Sequence, residues 1–150
     1  MRVDYRSPTF DDDTLELDPP GAKRLFAVTF HGRPGTANVT RSATTRAWMD
    51  QVRSQAAGLQ THWTPDVRFW ARIDFRLYMD FNPKAEWDPD NLLKAFFDAL
   101  CDAGFFGDPA IAGSSMKGDE RIDYIQVRKR TVSTPEEAGA RIELYAVTKP

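Results

Sequence analysis

The residues best suited to carrying out a reaction lie in one segment, WDPDNLLKAFFDALCDAGFFGDP, which spans 87–109. It holds the acids Asp88, Asp90 and Asp108, and Lys94 lies four residues after Asp90. Clustered carboxylates repel one another unless a cation or protons neutralise them. Because their oxygens suit Mg²⁺ or Mn²⁺, and a nearby lysine can steady a bound phosphate, these residue types predict a metal site. The chemistry implied is metal-assisted hydrolysis of a phosphodiester.

The pattern of this segment also predicts the element that positions those residues. Asp88 suits the N-cap of a helix, Pro89 suits its first position, and Gly104 suits a left-handed stop. A strand residue advances about 3.3 Å, whereas a helical residue advances about 1.5 Å. If the chain returns along the helix as a strand, Asp108 therefore comes back beside Asp88 and Asp90. We expect the three carboxylates to meet at one point.

A second interpretation of the same residues needs no metal. Asp90 and Lys94 form an i, i+4 pair on the polar side of an amphipathic helix, and such a pair contributes about 0.2–0.5 kcal/mol. On this interpretation the carboxylates only cap the helix. The position of Asp108, held extended by Pro109 after the apolar pair 105–106, favours the metal site instead.

Other residue types that could carry out catalysis are scarce. Cys101 is the single cysteine, which excludes an internal disulfide and a multi-cysteine zinc site. The two histidines, His31 and His62, have neither the spacing of a metal-binding helix nor a partner for a nucleophilic triad. Reaction chemistry must therefore rest on carboxylates, lysines or hydroxyls.

The composition predicts one globular domain behind an acidic leader. The chain has 150 residues, 41% of them hydrophobic and 28% charged, with a net charge of −2, which suits a single domain. Residues 1–20 hold six acids against two arginines and run into a Pro-Pro-Gly break, so we expect a flexible leader there and the domain at 21–150. No run is apolar enough for a signal peptide or a membrane span, which predicts a cytoplasmic protein without a membrane partner.

Hydrophobic periodicity predicts an α+β fold, in which a small mixed β-sheet packs against two main helices. We expect strands over 24–31, 67–78, 122–129 and 141–147, and helices over 40–58 and 89–103. The second helix would carry the reactive residues on its polar side.

The strand over 67–78 has the clearest alternation. Arg68, Arg72 and Arg76 lie on its polar side together with Trp70, while apolar residues occupy the other side. Basic residues interleaved with aromatics are typical of a surface that follows nucleic-acid phosphates. The solvated side of an ordinary antiparallel sheet can have the same composition, so the sequence leaves both interpretations open.

The stretch DPDNLLKAFFDALCDAGFFGD, at 88–108, resembles the motif of the RusA family of Holliday junction resolvases. In that family an Asp-x-Asp-Asn-x-x-Lys helix runs through Asp-Ala-Leu to an Ala-Gly and an acidic turn. Weaker similarity in strand order extends over 25–147 and includes IDYIQVRKR followed by RIELYAV. The resemblance implies a small α/β homodimer that binds four-way DNA junctions and makes paired incisions with Mg²⁺.

The resemblance also implies roles for individual residues. By position, Asp88, Asp90 and Asp108 are the metal-binding carboxylates, and Lys94 is the catalytic or phosphate-contacting lysine. Asn91 would orient the loop.

Two parts of the family pattern leave a choice open. A basic residue late in the sheet falls on Arg128 or Lys129. Where the family usually ends its motif with two acids, this chain has Gly107 followed by a single acid, and Asp119 or Glu120 is an alternative source of the other one.

The hypothesis that follows is a Mg²⁺-dependent, structure-selective endonuclease that resolves four-way junctions in recombination and repair as a homodimer. The alternative is a nucleic-acid-binding module of the same fold that does not cleave, and a third possibility is a structural domain whose carboxylates merely cap a helix. The residues expected to contact DNA are Lys94, Arg68, Arg72, Arg76, Arg128 and Lys129.

Overall fold

The computed structural model describes residues 2–6, 23–36, 42–59, 63, 67–78, 89–107 and 118–146. The described strands and α-helices are, in chain order, β1 Arg2–Arg6, β2 Lys23–His31, α1 Ala43–Ala57, β3 Phe69–Tyr78, α2 Pro89–Asp102, β4 Ile122–Val132 and β5 Gly139–Ala146. Short 3-10 helices occupy Gly118–Arg121 and Pro135–Glu137. The predicted α+β class is confirmed.

The strands form one mixed sheet in the order β1-β4-β3-β5-β2. β4 is parallel to both β1 and β3, and β5 is antiparallel to both β3 and β2. Four strands therefore share one direction, and β5 runs against them.

The edge strand β1 differs from the prediction of a leader through residue 20. Arg2 pairs with Tyr124 and Arg6 pairs with Arg128, so these five residues belong to the sheet. An edge strand needs a partner on one side only, and that partner, β4, lies far along the chain. Residues 7–22, which hold most of the acids of the predicted leader, lie outside the described residues.

The core lies between one face of the sheet and the two helices. The buried side of β3 consists of Phe69, Ala71, Ile73, Phe75 and Leu77, as the alternation predicted. Phe96 of α2 joins the layers, because its ring packs on Trp48 of α1, Phe30 of β2 and Phe75 of β3. Both helices therefore cover the same face.

The helix α1 begins and ends close to its predicted bounds. The Ser42 hydroxyl accepts a hydrogen bond from the Thr45 backbone N–H at 3.1 Å, which caps the helix. Trp48 of this helix is buried in the core, whereas its neighbour Ala47 is exposed. No described helix has both the length and the apolar content needed to cross a bilayer.

Candidate metal site and arginine face

The candidate site residues of α2 lie at its amino-terminal end. The helix begins at Pro89 as predicted, and Asp90 and Lys94 are exposed in its first two turns. The opposite side is buried and consists of Leu92, Leu93, Ala95, Phe96, Phe97, Ala99 and Leu100. The amphipathic pattern therefore directs both chemically capable residues to solvent.

The direction of α2 sets where those residues stand relative to the sheet. Near the middle of the helix the ring of Phe96 lies 5.7 Å from that of Phe75, close to the carboxyl end of β3. Beyond the end of the helix, Phe106 lies 6.2 Å from Phe69, the first residue of β3. The helix therefore runs back along β3 and joins it to the parallel strand β4. Asp90 accordingly lies toward the carboxyl ends of two parallel strands, where open α/β sheets bind their ligands.

The segment that follows α2 does not extend as the sequence predicted. Gly104 adopts φ +73°, the expected left-handed stop, but residues 103–106 form turns rather than a strand. The Phe105 N–H donates to the Leu100 carbonyl at 3.0 Å, and the Gly107 N–H donates to the Gly104 carbonyl at 3.1 Å. The chain through Gly107 therefore stays at the carboxyl-terminal end of α2.

Gly107 packs beside Arg121, which immediately precedes β4. A Cβ added at Gly107 would lie 3.2 Å from the guanidinium carbon of Arg121, and its φ of +129° strains any other residue. This contact and this backbone angle explain why position 107 is a glycine. Because α2 has 14 residues, Gly107 and Asp90 lie at opposite ends of a helix about 21 Å long.

The structure describes the side chains of only some of the acids in the predicted carboxylate cluster. Asp90 lies at one end of α2, and Glu120, the alternative acid, is exposed beside Arg121 at the other end. Asp88, Asp108 and Asp119 lie outside the residues whose side chains the structure describes. Within the described part of the chain, no group of three histidine, cysteine, aspartate or glutamate side chains could hold a metal ion. The three-carboxylate site thus stays a prediction.

The other face of the sheet, which carries neither α-helix, is rich in arginine. We call it the arginine face, and its central described part, on β3, β4 and β5, carries Arg72, Arg76, Arg128, Arg130 and Arg141 with the acids Asp74 and Glu143. The strand register brings them into rows, since Asp74 lies opposite Arg128 on β4 and Arg141 on β5. Five guanidinium groups meet two carboxylates there, so these side chains sum to a charge of +3.

Asp74 is the centre of this arrangement. One carboxylate oxygen accepts a hydrogen bond from Arg128 Nε at 3.1 Å. The other accepts from Arg76 Nε at 3.1 Å and from Arg130 Nε at 3.3 Å. Because Asp74 is buried, it holds three guanidinium groups in one fixed geometry.

An aromatic row borders the arginines at the amino-terminal end of β3. Trp70 stacks on Tyr124 with ring centroids 4.9 Å apart and meets Tyr145 edge-on at 5.4 Å. Arg72 lies over both Trp70 and Tyr145, 5.3 and 5.5 Å from their ring centroids. The Arg72 guanidinium therefore packs against two aromatic rings of this face.

The structure divides the predicted DNA-contacting residues between two sides of the molecule. Arg72, Arg76 and Arg128 share the arginine face. Strand alternation places Lys129 beside Phe75 on the face that carries α2, and Lys94 lies on the outer side of that helix. One flat surface does not contain them all.

Arg68, the remaining predicted DNA contact, precedes β3. Its guanidinium is hydrogen-bonded to the carboxylate of Asp123, and this hydrogen bond raises the pKa of Arg68. The side chain is therefore part of an ion pair that joins the start of β3 to β4.

Sequence reasoning missed the members of the arginine face on β4 and β5. Arg130, Arg141 and Glu143 were not singled out, and neither was Asp74 on β3. A signal was present, because polar residues alternate with apolar ones on β5 as they do on β3. Recognising the cluster required knowing which strands are neighbours.

Comparisons with known proteins give no family for the chain. No protein-family model matches it, and no curated protein matches it either.

Proposed function

We propose that this protein is a Mg²⁺-dependent endonuclease that cuts branched DNA as a homodimer. One observation carries the proposal: Asp90 and Lys94 are exposed in the first two turns of a helix whose other side is fully packed, at the carboxyl ends of two parallel strands. The spacing of these residues in DPDNLLK, and the resemblance of that stretch to junction resolvases, support the assignment of the reaction.

The acidic residues of the site would bind the metal ion, and its lysine would bind the phosphate. Asp90, with Asp88 before it, would hold the ion through carboxylate oxygens, and Lys94 would hold an oxygen of the phosphate one helical turn away. A bound Mg²⁺ would supply a water of lowered pKa and offset the charge on the phosphate. The positive end of the helix dipole opposes a cation at this position, so more than one carboxylate is needed to hold it.

We expect the third carboxylate of the metal site, beside Asp88 and Asp90, to come from the other subunit of the dimer. Gly107 and Glu120 lie at the opposite end of α2 from Asp90, which disfavours a site built within one chain. In a two-fold dimer that pairs the α2 helices antiparallel, the amino-terminal end of one helix meets the carboxyl-terminal end of the other. Asp108 of the partner subunit, or an acid at 119–120, would then complete the site, and the dimer would hold two such sites for paired cuts.

The function is tested by nicking of a synthetic four-way junction. We expect Mg²⁺-dependent, paired strand cuts in the junction and no cutting of a linear duplex of the same arm sequence, measured on denaturing gels with each strand labelled in turn. Chelation of the ion should abolish cutting without abolishing binding. Equal cutting of the linear duplex, or cutting that survives the chelator, would contradict the proposal.

The shared site is tested by mixing inactive subunits. One chain carries Asp90→Asn, and the other carries Asp108→Asn, Asp119→Asn and Glu120→Gln. If the acids come from different subunits, each mixed dimer retains one intact site, and we expect single-strand nicks at about half the wild-type rate per dimer. If the acids come from one subunit, neither site is intact and the mixture stays inactive.

A second candidate function is nucleic-acid binding without cleavage. The arginine face favours it, because its net charge and its aromatic row suit a phosphate backbone and stacked bases. The same assay separates the two functions, since a pure binder retards the junction on a native gel and yields no product. Its affinity should also fall steeply as the salt concentration rises.

A further inference from the structure

The two helices lie side by side and run in the same direction. The Trp48 ring of α1 stacks on the Phe96 ring of α2 with centroids 6.2 Å apart. Further along both helices, the Arg53 guanidinium donates to the Asp102 carboxylate at 3.0 Å. Because these contacts advance together along both helices, α1 and α2 are parallel. Their amino-terminal ends therefore lie at the same end of the helix layer, where Asp90 is found.

This arrangement places Arg46 of α1 level with Lys94 of α2. Arg46 precedes Trp48 by two residues. Lys94 likewise precedes Phe96 by two residues, and both cations are exposed. Arg46 also precedes Arg53 by seven residues, close to two turns, so it lies on the side of α1 that borders α2. Because packed helices have axes about 8–10 Å apart, the two cations stand on adjoining ridges of one surface.

Charge is distributed unevenly along the helix layer. At the amino-terminal end, Arg46 and Lys94 accompany the single acid Asp90, which gives a net charge of +1. The remaining charged residues of the two helices give a net charge of −2 and lie further along: Arg53, Asp50, Asp98 and Asp102. The positive ends of both helix dipoles add to the difference. A polyanion is therefore attracted to the amino-terminal end of the layer and repelled from the rest of it.

We propose that Arg46 binds the same DNA strand as Lys94, at a neighbouring phosphate. The strand would then cross α2 and α1 at their amino-terminal ends, because a path along the groove between the helices would meet the acids further along. Arg46 also interacts within its own chain. A guanidinium presents several N–H donors in a rigid fork, so it can bind a phosphate in addition to that interaction. The inference rests on the proposed function, since it takes the α2 site as the point that the strand must reach.

The direction of the strand fits the proposed dimer. If α2 packs on α2 of the partner subunit, α1 lies on a side of α2 that the partner does not occupy, because α1 already packs there through Trp48 and Arg53. Each strand would leave its site over α1, away from the two-fold axis. The two strands that are cut would therefore occupy separate surfaces of the dimer.

The role of Arg46 is tested by binding of a labelled four-way junction in the presence of a chelator, which prevents cutting. We expect Arg46→Gln to weaken binding about tenfold at about 50 mM NaCl, because one charge-assisted contact to a phosphate is lost. The plot of log K against log salt should become less steep by about 0.9, the value for one phosphate contact. Arg46→Lys keeps the charge and should restore that slope. With Mg²⁺ and saturating protein, Arg46→Gln should cut within about twofold of the wild type, since the contact holds substrate and transition state alike.

The matched control is Arg53→Gln, which makes the same change in net charge on the same side of α1. Arg53 lies about 10 Å further along the helix and is bound to Asp50 and Asp102. We expect this variant to bind the junction within about twofold of the wild type, with an unchanged salt slope.

The outcomes separate this inference from the proposed function. Equal losses of binding in Arg46→Gln and Arg53→Gln would overturn the role of Arg46 and leave the proposed function standing. A loss specific to Arg46, in a protein that binds junctions but never cuts them, would uphold the contact while the proposed cleavage fails. A wild-type protein that binds no junction would overturn both.

Discussion

Replacing Asp90 by asparagine is expected to leave junction binding intact and to slow cutting by about 100-fold or more. Asparagine keeps an oxygen at the same place but removes one negative charge from the group that would hold Mg²⁺, so both the affinity for the ion and the activation of its water fall. Binding should persist, because loss of an acid beside a phosphate removes repulsion. Rates from single-turnover cutting, with affinities from native gels, measure the two effects separately.

The control for this variant lies on the same helix. Asp98 is partly exposed two turns after Asp90, and Asp98→Asn changes the net charge equally. We expect that variant to cut within about twofold of the wild type, because it lies at least 10 Å along the helix from Asp90 by the rise of about 1.5 Å per residue. Unchanged cutting by Asp90→Asn would remove the metal-site proposal, and equal losses in both variants would indicate a general charge effect.

The second large effect is expected at Asp74, whose replacement by asparagine should destabilise the fold by about 3 kcal/mol. The change leaves Arg76, Arg128 and Arg130 converging on a neutral amide, and breaking a buried ion pair from one side costs about 3–5 kcal/mol. Asparagine keeps one acceptor oxygen, which places the expected value at the lower end. Urea unfolding followed by circular dichroism measures the loss.

A surface ion pair provides the matched comparison for Asp74. The Asp102 side chain is 57% exposed and accepts from Arg53 at 3.0 Å, whereas the Asp74 side chain is 10% exposed. Asp102→Asn also removes a carboxylate bound by arginine, but solvent screens that pair, and we expect a loss of less than about 1 kcal/mol. Similar losses for the two variants would mean that the arginine cluster contributes little beyond a surface ion pair.

Residues near one another along the chain made two elements predictable. The helix α2 begins at Pro89 and is followed by the left-handed Gly104, because capping and helix termination depend on residues within about one turn. The buried side of β3 follows from the period-two alternation of its side chains, which is a property of any extended strand at a core. Both signals depend only on residues close together in the chain, so the helix ends and the buried side of the strand can be predicted from the sequence.

The candidate metal site was less predictable because it depends on where the chain goes after α2. The sequence of 105–108 fits an extended return toward Asp90, yet hydrogen bonds of the Phe105 and Gly107 amides hold the chain in turns through Gly107. Packing of Phe106 against Phe69 stabilises those turns at the start of β3. The strand expected there was thus displaced by burial of an aromatic residue, which an alternation pattern over four residues does not reveal.

The sequence alone determined the α+β class, the two helices with their apolar sides, and the exposure of Asp90 and Lys94, because neighbouring residues control each of these. Only the tertiary structure decided that Arg2–Arg6 joins the sheet and that Asp74 gathers arginines from β3 and β4. Asp74 and Arg128 lie 54 residues apart in the chain. Their meeting depends on strand pairing, and pairing is set by the packing of the whole core rather than by any segment's own preference.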